Sequence, residues 1–247
     1  MYLAGRVSVE TPDRVVEQSA FPGRQGRLAF AHLALRHGPV PREELADLLW
    51  AGESPHSWDT ALSAVISRLR RLMRDAGLDE AIDSALGCYE LRLPSGVWID
   101  IDAATAAAHQ AEAALQAGDH RTAGGAASVA YHITRRPFLP GEEGAWVDQQ
   151  RNHLFALHVR ATECLATVSL HNSEPTQAAA LAEELVRCEP FRETGYQLLM
   201  RAYAAAGSRA EALLAYERCR HLLADELGAD PSPETQALHL QLLTARE

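Results

Sequence analysis

Residues 58–74 read WDTALSAVISRLRRLMR, and the fold turns on this stretch. Leu62, Val65, Ile66, Leu69, Leu72 and Met73 recur at the i, i+3, i+4, i+7 spacing of a helix that lays one face on a core. The other face carries Thr60, Ser63, Ser67, Arg68, Arg70, Arg71 and Arg74. Residues 68–74 hold four arginines and no carboxylate, in a chain whose formal net charge is −10. Short polar side chains beside guanidinium forks suit the major groove of duplex DNA, where arginine reaches guanine edges or phosphates. An ordinary solvated helix face has the same composition, and the stretch by itself leaves both readings open.

The flanking sequence supplies a frame for that helix. Residues 25–37 predict a helix through Leu28, Phe30, Ala31, Leu33 and Leu35, ended by Gly38-Pro39. A second helix begins at Pro41, has Glu43 and Glu44 at its positive start, and runs through Leu45, Leu48, Leu49 and Trp50 to Gly52. Ser54-Pro55 is a connector, Ser57 a candidate cap, and Asp59 suits the first turn of the third helix. Three helices with a basic last face are the order of a helix-turn-helix domain. Residues 81–84 and the alternating Tyr89–Leu93, either side of Gly87, predict a hairpin or "wing", with a further short strand at Val97-Trp98-Ile99. Before the first helix, Arg6–Glu10 and Val15-Val16 predict short strands around a turn at Thr11-Pro12-Asp13.

From Asp102 onward the chain is helix after helix: 103–117, 121–134, 146–170, 177–187, 192–206, 209–227 and 233–245. Ser208 and Glu211 form a capping box, and Ser232-Pro233 starts the last helix. Tyr196, Leu199, Met200, Tyr203, Ala212, Tyr216 and Cys219 sit at the offsets of a tetratricopeptide repeat. A copy about 34 residues earlier falls on Leu165, Ala166, Ala178, Ala182, Leu185 and Pro190, and a fainter one on Ala111, Gly118, Ala123, Ala127 and Ala130. The fold class is therefore mainly α: an N-terminal winged helix-turn-helix over residues 1–100, then an all-α, tetratricopeptide-like helical domain over 101–247. Ile99–Asp102 joins them without a Gly/Ser linker, which predicts a fixed angle between the two.

Composition narrows the function. All 23 basic residues are arginine; the first 100 residues sum to −3 and the rest to −7. An acidic chain binds nucleic acid only through a local patch, and 68–74 is the one available. The four cysteines, Cys88, Cys164, Cys188 and Cys219, form no C-x-x-C pair, so they predict inert thiols. The eleven histidines show no metal spacing. A P-loop, a G-x-S-x-G elbow and a dinucleotide fingerprint are all missing, so no catalytic residue, cofactor or metal is expected. Charged residues near the start and the short apolar runs predict a cytoplasmic protein with no membrane partner, and the DNA-binding reading of 58–74 would make it nucleoid-associated. Trp50, Trp98 and Trp146 are expected in the core, whereas Trp58 starts the basic helix and could touch a DNA backbone.

These residues resemble a known family. Trp58–Arg74, with Ile66–Arg71 (ISRLRR) at its centre, resembles the recognition helix of OmpR-type winged helices, as do Glu43–Trp50 and Gly87–Leu91 around it. Phe138–Val147 (FLPGEEGAWV), Pro190–Glu193, Ala210–Tyr216 and Glu226–Pro233 are similar to motifs of the bacterial transcriptional activator domain. Together they resemble the small form of the Streptomyces antibiotic regulatory proteins. The resemblance implies a transcriptional activator that binds double-stranded promoter DNA at direct repeats, as a head-to-tail homodimer. It implies recruitment of RNA polymerase holoenzyme through the sigma factor, and control of a secondary-metabolite gene cluster. Cys88 stands where the wing of the family has glycine, and Thr60 where a long side chain is frequent.

The DNA-binding residues expected are Thr60, Ser63, Ala64, Ser67 and Arg68 on the groove side, with Arg71 and Arg74 on phosphate and Arg70 in either role. For Arg68 the competing role is a salt bridge to Glu43 or Glu44. The competing function is a tetratricopeptide-like protein–protein adaptor whose winged helix no longer binds DNA.

Overall fold

The computed structural model describes residues 1–51 and 55–244. Gly52, Ser54 and Ala245, to which the sequence assigned a helix end, a connector and a last helical turn, lie outside the described residues. The chain packs as two compact units: Met1–Thr105 with Ile133–Phe155, and Ala106–His132 with Ala156–Glu247. The packing therefore does not divide at a single cut between residues 100 and 101, because a segment from the second half of the sequence completes the first unit.

In the first unit, β1 (Val9–Glu10) and β2 (Val15–Val16) form the expected antiparallel pair, Val9 opposite Val16. α1 (Gly23–Arg36) buries Leu28, Phe30, Ala31 and Leu33 and ends on His37, whose φ of 52° turns the chain. β3 (Val40–Pro41) leads into α2 (Arg42–Trp50), which buries Leu45, Ala46 and Leu49. α3 (Trp58–Asp75) buries Leu62, Val65, Ile66, Leu69 and Met73, five of the six apolar positions read from the sequence. β4 (Ile82–Ala85) and β5 (Cys88–Leu91) pair antiparallel, and β3 joins β5 to give a three-stranded sheet in the order β3-β5-β4. The turn between β4 and β5 is Leu86-Gly87, with φ of 52° and 76°. Positive φ at both central residues matches the right-handed strand twist of a two-residue hairpin.

Residues 97–99 form no strand. Trp98 is 46% exposed and meets Tyr2 edge-on at 5.2 Å, so it is not core. The chain there is drawn instead toward Asp100, the first residue of α4 (Asp100–Gln116). The Asp100 carboxylate is wholly buried and accepts the backbone N–H groups of Leu3, Ala4 and Ile101 at 2.9–3.0 Å. One side chain thereby satisfies donors from the N-terminal segment and from a helix start, groups that burial would otherwise strand.

The 133–155 segment completes this core. Phe138 and Leu139 are each 1% exposed, and Ala4 bridges to Phe138. Glu142, 2% exposed, forms ion pairs with Arg27 and, at 3.0 Å, with Arg24, both on α1. From α6 (Ala145–His171), Arg151 donates to the carbonyls of Phe138, Leu139 and Glu142 at 2.9–3.1 Å. Trp146 packs edge-to-face on His32 and Phe138, at 4.9 and 5.6 Å.

The second unit holds most of α4, α5 (His120–Thr134) and α6, then α7 (Pro175–Cys188), α8 (Glu193–Ala205), α9 (Arg209–Leu227) and α10 (Pro233–Thr244). The repeat positions do pack together. Ala166, Ala182, Leu185, Tyr196, Leu199, Met200, Ala212, Tyr216 and Cys219 share one buried cluster. Ala111, Ala123 and Ala127 share another with Cys164 and Val168. Small residues where helices cross allow close approach; a Cβ on Gly195 would meet Val186 Cγ2 at 3.2 Å. The Glu193 carboxylate accepts the N–H and Oγ of Ser232 at 2.9–3.0 Å, tying the start of α10 to α8. Two expected caps are not made: neither Ser57 nor Ser208 bonds a backbone N–H through its side chain. Ser232 Oγ lies a long 3.4 Å from the N–H of Thr235.

Two outcomes follow from this packing. Phe138→Ala should destabilise the first unit by roughly 3–5 kcal/mol, because it empties a closed site, and a fragment ending at residue 105 should lack a cooperative melt by circular dichroism. A cooperative melt of that fragment would show that 133–155 is dispensable. Burial pushes the thiols of Cys164 and Cys219 up to about 11. Both should therefore resist iodoacetamide at neutral pH in the native chain and react once it is unfolded, as read by mass spectrometry.

Candidate nucleic-acid interface

The apolar stripe that fixes α3 also fixes which side chains face water. Thr60, Ala64, Ser67, Arg68, Arg71 and Arg74 are exposed; Ser63 and Arg70 are half-buried. The eight residues read from the sequence therefore lie on one helix but divide into two groups.

Ser63 and Arg70 are held within the fold. Arg42, at the start of α2, donates to Ser63 Oγ at 3.0 Å and forms an ion pair with Asp59. Its guanidinium sits 5.3 Å from the centre of the Tyr89 ring. Arg70 donates through Nε to the Ile82 carbonyl at 2.9 Å, and its guanidinium lies 5.9 Å from the same ring. Tyr89 is 4% exposed. One β5 tyrosine thus receives two guanidinium groups, one from α2 and one from α3, and locks both helices to the wing. Each cation–π contact contributes on the order of 0.5–1 kcal/mol, and more where it is desolvated. For Arg70 the geometry favours neither the groove role nor the phosphate role: it braces the wing.

The remaining positions present a surface. Thr60, Ala64, Ser67, Arg68 and Arg71 line one side of α3, short side chains flanked by long cationic ones. Among the described residues Arg68 and Arg71 have no ion-pair partner. Of the two carboxylates proposed to neutralise Arg68, Glu44 is engaged elsewhere, with His32 Nε2 at 3.1 Å and Arg36 at 3.8 Å, and Glu43 forms no ion pair with Arg68. Arg74 faces Asp79 at 3.8 Å, with both side chains mostly exposed. Such a pair is worth about 0–1 kcal/mol and yields readily to a phosphate. On the wing, Arg92 is bound by Asp83 at 2.9 Å and Glu90 at 2.8 Å, so its charge is largely spent at home. Leu86 at the wing tip is fully exposed.

Arg42 and Tyr89 were not singled out for the site from the sequence. Tyr89 was visible only as part of an alternating strand and of the wing-like stretch Gly87–Leu91. Arg42 looked like any charged residue in a helix's first turn, and its role appears only when α2 and α3 are brought together. Among the described residues no helix is long and apolar enough to cross a membrane.

Comparison with known proteins agrees with the fold. Residues 99–243 match the family model of the bacterial transcriptional activator domain. The regulatory protein AfsR of Streptomyces coelicolor is 33% identical over 222 residues, covering 90% of this chain and 22% of AfsR. The transcriptional regulator RedD of the same organism is 28% identical over 228 residues, covering 88% of this chain and 63% of RedD. The solved structure of Mycobacterium tuberculosis EmbR in complex with a low affinity phosphopeptide superposes with a TM-score of 0.84 at 26% identity, covering 98% of this chain and 64% of that one. The chain thus spans from about a fifth to under two thirds of these relatives. With an OmpR-type winged helix ahead of the matched domain, the chain belongs to the bacterial transcriptional activator domain family, in the arrangement of the Streptomyces antibiotic regulatory proteins.

Proposed function

We propose that this chain regulates transcription by binding promoter DNA, with α3 lying in the major groove. The observation that carries this is the exposed face of α3, where Arg68 and Arg71 stand beside small side chains, without carboxylate partners among the described residues. In this reading Thr60, Ala64, Ser67 and Arg68 meet base edges. Arg71 and Arg74 hold phosphates, and Arg70 acts indirectly by holding the wing. The molecule binds direct repeats as a head-to-tail pair, and activates by recruiting RNA polymerase holoenzyme through its sigma factor. Its targets are the genes of a secondary-metabolite cluster. The −10 net charge supports selectivity, because a molecule that phosphate repels overall has little non-specific affinity.

Two features favour the adaptor reading instead: the overall acidity, and a wing whose Asp83 and Glu90 neutralise its one arginine. A gel shift at moderate salt on promoters neighbouring the gene separates the two. Footprinting should protect two half-sites about one helical turn apart, and an adaptor protects none.

Substitutions on α3 should differ in kind. Arg68→Ala should cost roughly 1–3 kcal/mol on the cognate site and relax its base preference. Arg71→Ala should weaken all sequences alike and lower the salt slope by about 1. Arg70→Ala should chiefly reduce thermal stability, by on the order of 1 kcal/mol. Cognate affinity unchanged in Arg68→Ala at every salt concentration would remove that residue from the interface.

A further inference from the structure

An open trough of about 690 Å³ runs between α7 and α9, wholly within the second unit. Tyr196 of α8, 4% exposed, lies at its floor. Val186 of α7 and Pro190 just after it line one side, and Leu222 of α9 lines the other. Phe191, the next residue after Pro190, is 49% exposed. The helices of a repeat turn their apolar residues inward, so apolar walls on a solvent-facing trough leave burial available to a partner.

Charge narrows that partner. Arg187 and Arg218 line the trough against one carboxylate, Glu183. That carboxylate is already satisfied: Arg218 donates to its two oxygens at 2.9 and 3.2 Å, and the Tyr203 hydroxyl donates to one of them at 3.3 Å. Arg187 follows Glu183 by one helical turn. It is exposed, and its guanidinium forms no ion pair or hydrogen bond among the described residues. Its charge is therefore unspent and open to a ligand in the trough. The surplus is local, because residues 101–247 sum to −7. An acidic segment is repelled by most of this half and drawn to the trough, so charge fixes where it lies as well as how fast it arrives.

We propose that this trough is a docking site for a short acidic segment of a partner protein, in which a carboxylate side chain is flanked by apolar ones. The carboxylate meets Arg187, whose planar fork matches it, while Arg218 stays with Glu183. The flanking side chains lie against Val186, Pro190 and Leu222, over the Tyr196 ring. The site uses no residue of α3, so it does not depend on the DNA-binding reading and is tested without DNA.

Three capped pentapeptides, Ala-Leu-Glu-Phe-Ala, Ala-Leu-Gln-Phe-Ala and Ala-Ala-Glu-Ala-Ala, are titrated into the 15N-labelled full chain and followed by amide chemical shifts. The first should give saturable shifts at 183–189, Phe191 and 218–222, and should weaken as salt is added. The second lacks the charge and the third lacks the apolar flanks, so each should bind about tenfold more weakly or worse. Arg187→Gln changes an exposed side chain, and its remaining amide shifts report whether the fold is intact. In that variant the first peptide should bind no better than the second. Absence of saturable shifts with the first peptide, shifts that fall outside these segments, equal binding of the second or the third, or a preference for the charged peptide that survives Arg187→Gln would each overturn the proposal.

Discussion

The structure of the first unit depends on how α3 is gripped. Its apolar stripe alone would let the helix slide or roll, since hydrophobic burial has no direction. Polar contacts remove that freedom. Arg42 from α2 and Arg70 from α3 converge on the Tyr89 ring, and Arg42 also reaches Asp59 and Ser63. With the inward face pinned at its start by α2 and further along by the wing, the outward face of Thr60, Ala64, Ser67, Arg68 and Arg71 is set as a rigid array. A rigid array matters for base readout, because misplaced contacts lose their strength and their selectivity.

Much of this was legible in residue order. Period 3.6 placed α3 and its buried residues, and the helices after Asp102 fell within a few residues of their observed ends. The strongest signals were long periodic segments, where one misread residue does not change the answer. The losses occurred where long-range contacts decide. Residues 97–99 look like a strand, yet Asp100 captures the N–H groups of Leu3 and Ala4 and leaves Trp98 at the surface. Ser57 and Ser208 have the right identity for caps and do not use it. The division at residue 100 missed that Phe138, Leu139 and Glu142 complete the first core, since nothing local marks a distant loop as its missing wall. At the interface, periodicity assigned all eight residues to one helix; it could not separate Arg70, which faces Ile82 and Tyr89, from Arg68 and Arg71.

Charge explains how an acidic chain and a basic helix coexist. The arginines of α1 and α2 described above are mostly paired: Arg24 and Arg27 with Glu142, Arg36 with Glu44, Arg42 with Asp59. Pairing within the fold removes these cations from the long-range field. What remains on α3 is a short positive strip in negative surroundings. Under the proposed DNA-binding role such a strip would discriminate by local geometry, because the wider field contributes repulsion rather than affinity.

The most direct measurement is the amide chemical-shift map of the labelled chain titrated with a promoter duplex taken from its own gene neighbourhood. The account predicts that shifts begin at 60–74 on α3, spread to the adjoining wing, and stay small along the helices of the second unit. A map in which the second unit responds and α3 does not, at salt where a specific complex forms, would contradict it.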